Sequence, residues 1–338
     1  NFCNYIPQAI MPRMTTTALY PYNTTSKLKL IMNKHLIAPS GALPDPQVLE
    51  VGKTWFEKNQ ISIDNLTCGQ RQFQRFAGTD EERLNEINQL AQGNPHRIVM
   101  ALRGGYGLTR LLGHIDWQGI ANQVKHGMKI VGHSDFTAFE LALFAKTGAP
   151  SFAGPMFSYD FCGEVSDFTW KHYQETIFHN RLSIEVITHQ VMDSPLGLDE
   201  SDQAVLWGGN LAMLTSLLGT EYFPTVEQTK GGVLFVEDIN EHPYRVERML
   251  HQLFDAGYLN QQRAIMIGDI SSYRLTETDR SYNLTVALTS IRQRLGSKVP
   301  VLTDLPFGHC PDKLTLPVGR TIKLSASQSG YILEANWA

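Results

Sequence analysis

The sequence predicts an α/β protein with an N-terminal domain on a parallel sheet and a C-terminal domain of mixed α/β character with short antiparallel strands. Two observations lead there. Through the first half, short apolar runs alternate with helical stretches, the spacing of strands joined by crossover helices. Near the end, brief β-rich runs are separated by Pro and Gly turns, as in hairpins. The boundaries read as a segment outside the pattern (1–31), an N-terminal domain (32–180), a connection (181–205) and a C-terminal domain (206–338).

His35-Leu36-Ile37-Ala38 is the first strand, closed by Pro39-Ser40-Gly41, and residues 45–58 read as a helix. A second strand begins near Ile61, and Thr79 with Glu82 forms a capping box before a helix reaching about Leu90. Residues 97–102 make a third strand, Met128 to Val131 a fourth and Pro150 to Ala153 a fifth, with a polar helix over 165–178. Residues 181–205 lose helical periodicity and carry Asp193, Pro195, Gly197 and Asp199, so they read as a connector. Beyond it, Gly208-Gly209 reads as a turn feeding a helix, Gly232 to Val236 as a buried strand, and 243–256 as an amphipathic helix with Pro243 at its first position. Strands at 263–268 and 299–302 flank a helix over 280–294. Runs around Leu316, Ile322 and Ile332 form the antiparallel tail.

With 42% hydrophobic and 18% charged residues, the 338-residue chain can bury a sizeable core. A net charge of −4 offers no footprint for a polyanion, so nucleic acid is excluded as a partner. The four cysteines, Cys3, Cys68, Cys162 and Cys310, are scattered without a C-x-x-C pair, which points to a reducing compartment rather than a disulfide framework or zinc knuckle. No apolar run approaches the roughly 18 residues of a membrane span, and no signal peptide is read at the N-terminus. A soluble cytoplasmic protein without a membrane partner is the expectation. Asn1 is not an ordinary translation start; a fragment, a processed end and an upstream extension are all open, with Met32 a candidate start.

Four turns carry the candidate chemistry. Val131-Gly-His-Ser134-Asp135 joins a buried strand to a helix, which holds a serine hydroxyl out above a helix N-terminus; an ordinary Ser-Asp helix cap looks the same. Arg103-Gly-Gly-Tyr-Gly107 ends the third strand, where free amides could meet a developing oxyanion or simply make a tight turn. Glu237 and Asp238 follow a β-rich run, either at a site or as solvated turn acids, and His309 lies in a glycine-containing turn. His133, His242 and His251 have no metal-ligand spacing, and Cys310, adjacent to His309, is discounted as a nucleophile.

Taken in order, Arg103-Gly-Gly-Tyr-Gly107, Gly132-His-Ser-Asp135, Trp207-Gly-Gly-Asn210, Glu237-Asp-Ile-Asn-Glu241 and Phe307-Gly-His309 resemble the L,D-carboxypeptidase family, from about His35 to the C-terminus. Microcin-immunity hydrolases are its more distant branch. The resemblance implies a serine peptidase with Ser134 as nucleophile, His309 as general base and Glu237 orienting the imidazole. Backbone amides of Gly105 and Asp135 would form the oxyanion hole. It further implies release of the terminal D-alanine from cytoplasmic murein tetrapeptides in peptidoglycan recycling, no metal or organic cofactor, and a homodimer. Arg103, Glu241 and Arg245 are weaker candidates for substrate contacts. The alternatives are a related amidase acting on a peptide-nucleotide antibiotic, and a catalytically silent peptide-binding module.

Overall fold

A computed structural model describes residues 34–93, 97–188, 203–327 and 329–337. Residues 1–31, Met32 and the polar tract 193–202 lie outside the described residues. In the first half the chain forms β1 (Lys34–Ile37), α1 (Val48–Lys58), β2 (Ile63–Asp64), α2 (Asp80–Gln89), β3 (Ile98–Ala101), α3 (Trp117–Lys125), β4 (Lys129–Gly132), α4 (Thr137–Thr147), β5 (Ser151–Ala153), α5 (Phe157–Asp160) and α6 (Asp167–Ile177). The second half adds β6 (Arg181–Ile187), β7 (Gln203–Asn210), α7 (Leu211–Leu217), α8 (Val226–Thr229), β8 (Val233–Ile239), α9 (Pro243–Asp255), β9 (Ala264–Ser271), α10 (Leu284–Leu295), β10 (Val301–Leu302), β11 (Leu316–Val318), β12 (Arg320–Ser327) and β13 (Gly330–Asn336).

The expected capping box is present: Thr79 accepts from the Glu82 amide, and the Glu82 carboxylate accepts from the Thr79 amide, 2.7 Å away. Pro243 starts α9, whose apolar side buries Val246, Met249, Leu250 and Leu253.

The first sheet has the order β11-β5-β4-β3-β1-β2, parallel except for β11, which pairs antiparallel with β5. Its direction of build-up reverses between β1 and β3, so the loops after these two strands diverge. Open α/β sheets bind ligands at such a switch point, beyond the carboxyl ends. In the second sheet, β10-β9-β8-β7 run parallel, and β12, β13 and β6 extend them as antiparallel ribbons.

Between the sheets lies α4, buried from Thr137 through Phe144. A helix that is apolar on every side needs neighbours on every side. One continuous cluster accordingly joins Val99 and Ile130 of the first sheet, Phe139 and Leu143 of α4, and Trp207, Leu234 and Ile265 of the second. Each such side chain contributes roughly 1.5–3 kcal/mol by leaving water.

Two local expectations change. The stretch read as a connector opens with β6, an edge strand paired to β13, and its last residues already belong to β7. Gly208-Gly209 is not a turn but the end of β7: a Cβ on Gly208 would fall 1.9 Å from the Phe235 carbonyl oxygen, and one on Gly209 2.5 Å from Thr137 Oγ1. The glycines let the central strand press against β8 and the start of α4.

Candidate active site

β4 delivers the chain into the core through buried Ile130 and Val131, and α4 carries it away. In the turn between them His133 is extended, while Ser134 has φ +63°, the left-handed region that a side-chain-bearing residue enters only when its surroundings enforce it. Packing enforces it here, since Gly132 lies against the Phe136 ring and Asp135 is anchored. Ser134 is half-buried, at the carboxyl end of the first sheet. Such a strained elbow exposes a serine hydroxyl above a helix start.

The glycine loop closes over it. A Cβ on Gly104 would lie 2.7 Å from Ser134 Oγ and 3.3 Å from the Asp135 amide nitrogen, so only glycine fits there. Gly105, with φ +110°, follows directly. Asp135 is buried and fastens three loops: its Oδ2 accepts from Ser40 Oγ (2.7 Å) and from the Leu108 amide (3.1 Å). Burial raises its pKa, and those two hydrogen bonds oppose the rise. Fully buried Arg83 donates to the Pro39 and Gly107 carbonyls and pairs with Asp80, tying the loop after β1 to the loop after β3.

From the second sheet, His309 Nδ1 meets Glu237 Oε2 at 2.8 Å. Facing a carboxylate, Nδ1 carries the proton, which leaves Nε2 as the acceptor. Glu237 is not in a turn after the strand, as its sequence suggests, but inside β8 and completely buried. Its other oxygen accepts from Asn210 Nδ2 at 3.1 Å, while Asn210 Oδ1 caps α7 by accepting from the Met213 amide. Gly308 makes the close approach feasible, for a Cβ there would come within 2.8 Å of Asp269 Cβ and 3.1 Å of Glu237 Cβ.

Two further carboxyls sit behind Glu237. Burial and the Glu237 charge push Asp238 up to about 6. Glu140 on α4 is wholly buried, neither of its oxygens has a hydrogen-bond partner among the described residues, and burial followed by repulsion from Glu237 raises its pKa far above the ordinary carboxyl range.

A buried histidine links the two halves. His133 Nδ1 donates to the Gly154 carbonyl (2.9 Å), and its Nε2 accepts from Lys313 Nζ (3.3 Å), which also pairs with Asp160 (2.8 Å). Desolvation, then the Lys313 charge, holds His133 well below the usual histidine range, so it stays neutral. Its ring stands edge-on to His309, centroids 5.1 Å apart, and Tyr159 packs on both rings while donating to the His309 carbonyl. Through His133, the neighbour of Ser134, the serine elbow and the His309 loop are in contact.

The structure therefore joins His309 to Glu237 and Ser134 to Gly104, but Ser134 makes no hydrogen bond to His309 among the described residues. Arg103 lies beside the glycine loop, its Nη1 donating to the Ala42 carbonyl (2.6 Å). Glu241, just ahead of α9, and Arg245, in its first turn, are paired with each other. Cys310 is turned away: its Sγ donates to the Asp312 carbonyl and burial pushes the thiol up to about 12. Sequence reasoning gave no role to Ser40, Thr137, Tyr159, Asp160 or Lys313. Only Lys313 left a trace, as a lone cation entering the apolar run Leu314-Thr315-Leu316.

Comparison with known proteins extends the resemblance. Residues 35–154 match the LD-carboxypeptidase N-terminal domain model and residues 203–324 the C-terminal domain model. A probable murein peptide carboxypeptidase of Bacillus subtilis is 30% identical over 305 residues, covering 89% of this chain and 91% of that protein. The microcin C7 self-immunity protein MccF of Escherichia coli is 27% identical over 283 residues, 76% of this chain and 79% of its own. Among solved structures, the muramoyltetrapeptide carboxypeptidase of Oxalobacter formigenes superposes with a TM-score of 0.80 at 40% identity, over 90% of this chain and 99% of that one. Matched in both halves and along nearly the whole length of such relatives, the chain belongs to the LD-carboxypeptidase family.

Proposed function

We propose that this protein is a serine carboxypeptidase that releases the terminal D-alanine from murein tetrapeptides in cytoplasmic peptidoglycan recycling. The observation that carries the reading is a strained serine elbow that lies under a glycine loop and whose His133 packs against His309, a histidine with its Nδ1 held by a buried glutamate. The names of the relatives support the substrate.

In this reading His309 Nε2 takes the Ser134 hydroxyl proton as Oγ bonds to the carbonyl carbon of the scissile amide. The carbonyl oxygen gains charge facing the Gly105 and Asp135 amides, donors fixed before the reaction begins. Collapse breaks the carbon–nitrogen bond, and His309 returns the proton to the departing amine of D-alanine. Water then attacks the acyl-serine with His309 again as base, freeing the tripeptide and restoring Ser134. Glu237 holds the imidazole tautomer and balances its charge, with Asn210 fixing the carboxylate. Substrate is expected to draw Ser134 and His309 together, since catalytic hydrogen bonds are often long without ligand. The active form is proposed to be a homodimer.

The test is D-alanine release from the tetrapeptide in the presence of a chelator. Wild type is expected to turn over, and Ser134→Ala to lose about 10³-fold or more in kcat. Equal rates in the two proteins would overturn the assignment of Ser134. A wild type that binds the peptide without releasing D-alanine would overturn the enzyme reading.

A further inference from the structure

Around the switch point of the first sheet, the arginines fall into two groups. Arg71 pairs with Glu86, and Arg83 and Arg110 both pair with Asp80. Arg75 and Arg103 make no ion pair among the described residues, and burial, followed by the Arg75 charge, lowers the Arg103 pKa. Asp135 feels the Arg75 charge, but its Oδ2 is taken up by Ser40 and Leu108, so both guanidiniums keep donors for an anion from outside.

Their placement is specific. The Ala42 peptide lies between them, its amide donating to the Arg75 carbonyl (2.9 Å) and its carbonyl accepting from Arg103 Nη1. Gly41 donates to the Gly104 carbonyl at 3.2 Å, which brings this loop against the one that covers Ser134. A Cβ on Gly105 would lie 3.6 Å from Arg103 Nη2, so the guanidinium lies alongside the amide assigned to the oxyanion. Arg75 is exposed, its guanidinium 5.6 Å from the centre of the exposed Tyr106 ring, which orders it at the rim.

We propose that Arg75 and Arg103 form a clamp for the free C-terminal carboxylate of the peptide, and so select the last residue for removal. The inference rests on the carboxypeptidase reading above and names the part of the site that makes the enzyme an exopeptidase. The scissile carbonyl and the terminal carboxylate are separated by a single residue, which matches a cationic pair placed next to the oxyanion amides. An amide-capped terminus would leave both guanidiniums without their anion.

The experiment compares a murein tetrapeptide with its C-terminal primary amide, following release of D-alanine and of D-alaninamide. Wild type, Arg75→Ala, Arg103→Lys and the double variant are measured. The wild type is expected to favour the free acid in kcat/KM by about 10- to 100-fold, the scale of one or two charge-assisted hydrogen bonds. Arg75→Ala and the double variant should lose most of that preference and Arg103→Lys, which keeps the charge but not the planar fork, a part of it, read as the acid-to-amide ratio within each variant. Arg75 is exposed and Lys retains the charge at 103, so folding should survive, and circular dichroism checks it. Equal hydrolysis of acid and amide by wild type, or variants that slow both alike, would overturn the clamp. Calorimetric binding of acid and amide to Ser134→Ala reads the same preference without turnover: a retained preference that Arg75→Ala abolishes supports the clamp even where D-alanine release fails, and no preference overturns it.

Discussion

At the scale of single residues, the site depends on side chains that are missing as much as on those present. Gly104 leaves the space that Ser134 Oγ occupies, so Gly104→Ala, with its new methyl 2.7 Å from that oxygen, must displace the serine or the loop. The expected result is a loss of about 100-fold in kcat with circular dichroism unchanged, because a shift near 1 Å at the reacting group has that effect. An active Gly104→Ala would show that the loop is not held against Ser134. Ser134, Glu237 and His309 stood out in the sequence because each borders a turn or a β-rich run, and the family resemblance assigned their roles. The contacts that support them are not legible, even for Asn210, which falls in the Trp207-Gly-Gly-Asn210 motif. Lys313 reaches His133 across 180 positions of chain, and Asn210 reaches Glu237 across 27, distances over which local pattern carries no information.

Among elements, α4 has the heaviest duties, since it starts at the Ser134 turn and separates the sheets. Its Glu140 brings a carboxyl into that interior beside Glu237. Because its pKa in the folded protein lies above the value in the unfolded chain, the unfolded state gives up the proton first as pH rises. Stability from this group is therefore full below the ordinary carboxyl pKa and is lost as pH climbs towards the raised value. Glu140→Gln should flatten the fall in melting temperature as pH rises above the ordinary carboxyl range, and an unchanged slope would count against a protonated Glu140. Regular helices and apolar strands were legible: the Thr79 box and the Pro243 start are local chemistry, and both formed. Gly208-Gly209 was misread because the reason for glycine lies outside β7, in the Phe235 carbonyl and the Thr137 side chain. β6 is not legible because its polar alternation is that of an edge strand, and the loss of helical period there reads as a connector.

Across the whole molecule, the two sheets share one core and are further fastened by the Lys313–Asp160 pair, with side-chain exposures of 0% and 3%. Removing one member of a buried pair leaves the other uncompensated, so Lys313→Met should lower unfolding free energy by about 3–5 kcal/mol in urea titration. Adding Asp160→Leu should recover part of that loss; a single variant as stable as wild type would remove the pair from the list of fastenings. The mixed α/β architecture was legible as a whole, whereas the return of the chain to the first sheet through β11 was not, since nothing in Leu316-Pro317-Val318 names β5 as its partner. That return has a consequence during synthesis. The outer edge of β5 (Ser151–Ala153) is complete only after residue 318 has been made, so a nascent chain leaves the ribosome with an open apolar edge for about half of the 338 residues. An open edge of that kind recruits other strands, which makes the emerging polypeptide a natural client for chaperones until its last ribbon closes the sheet.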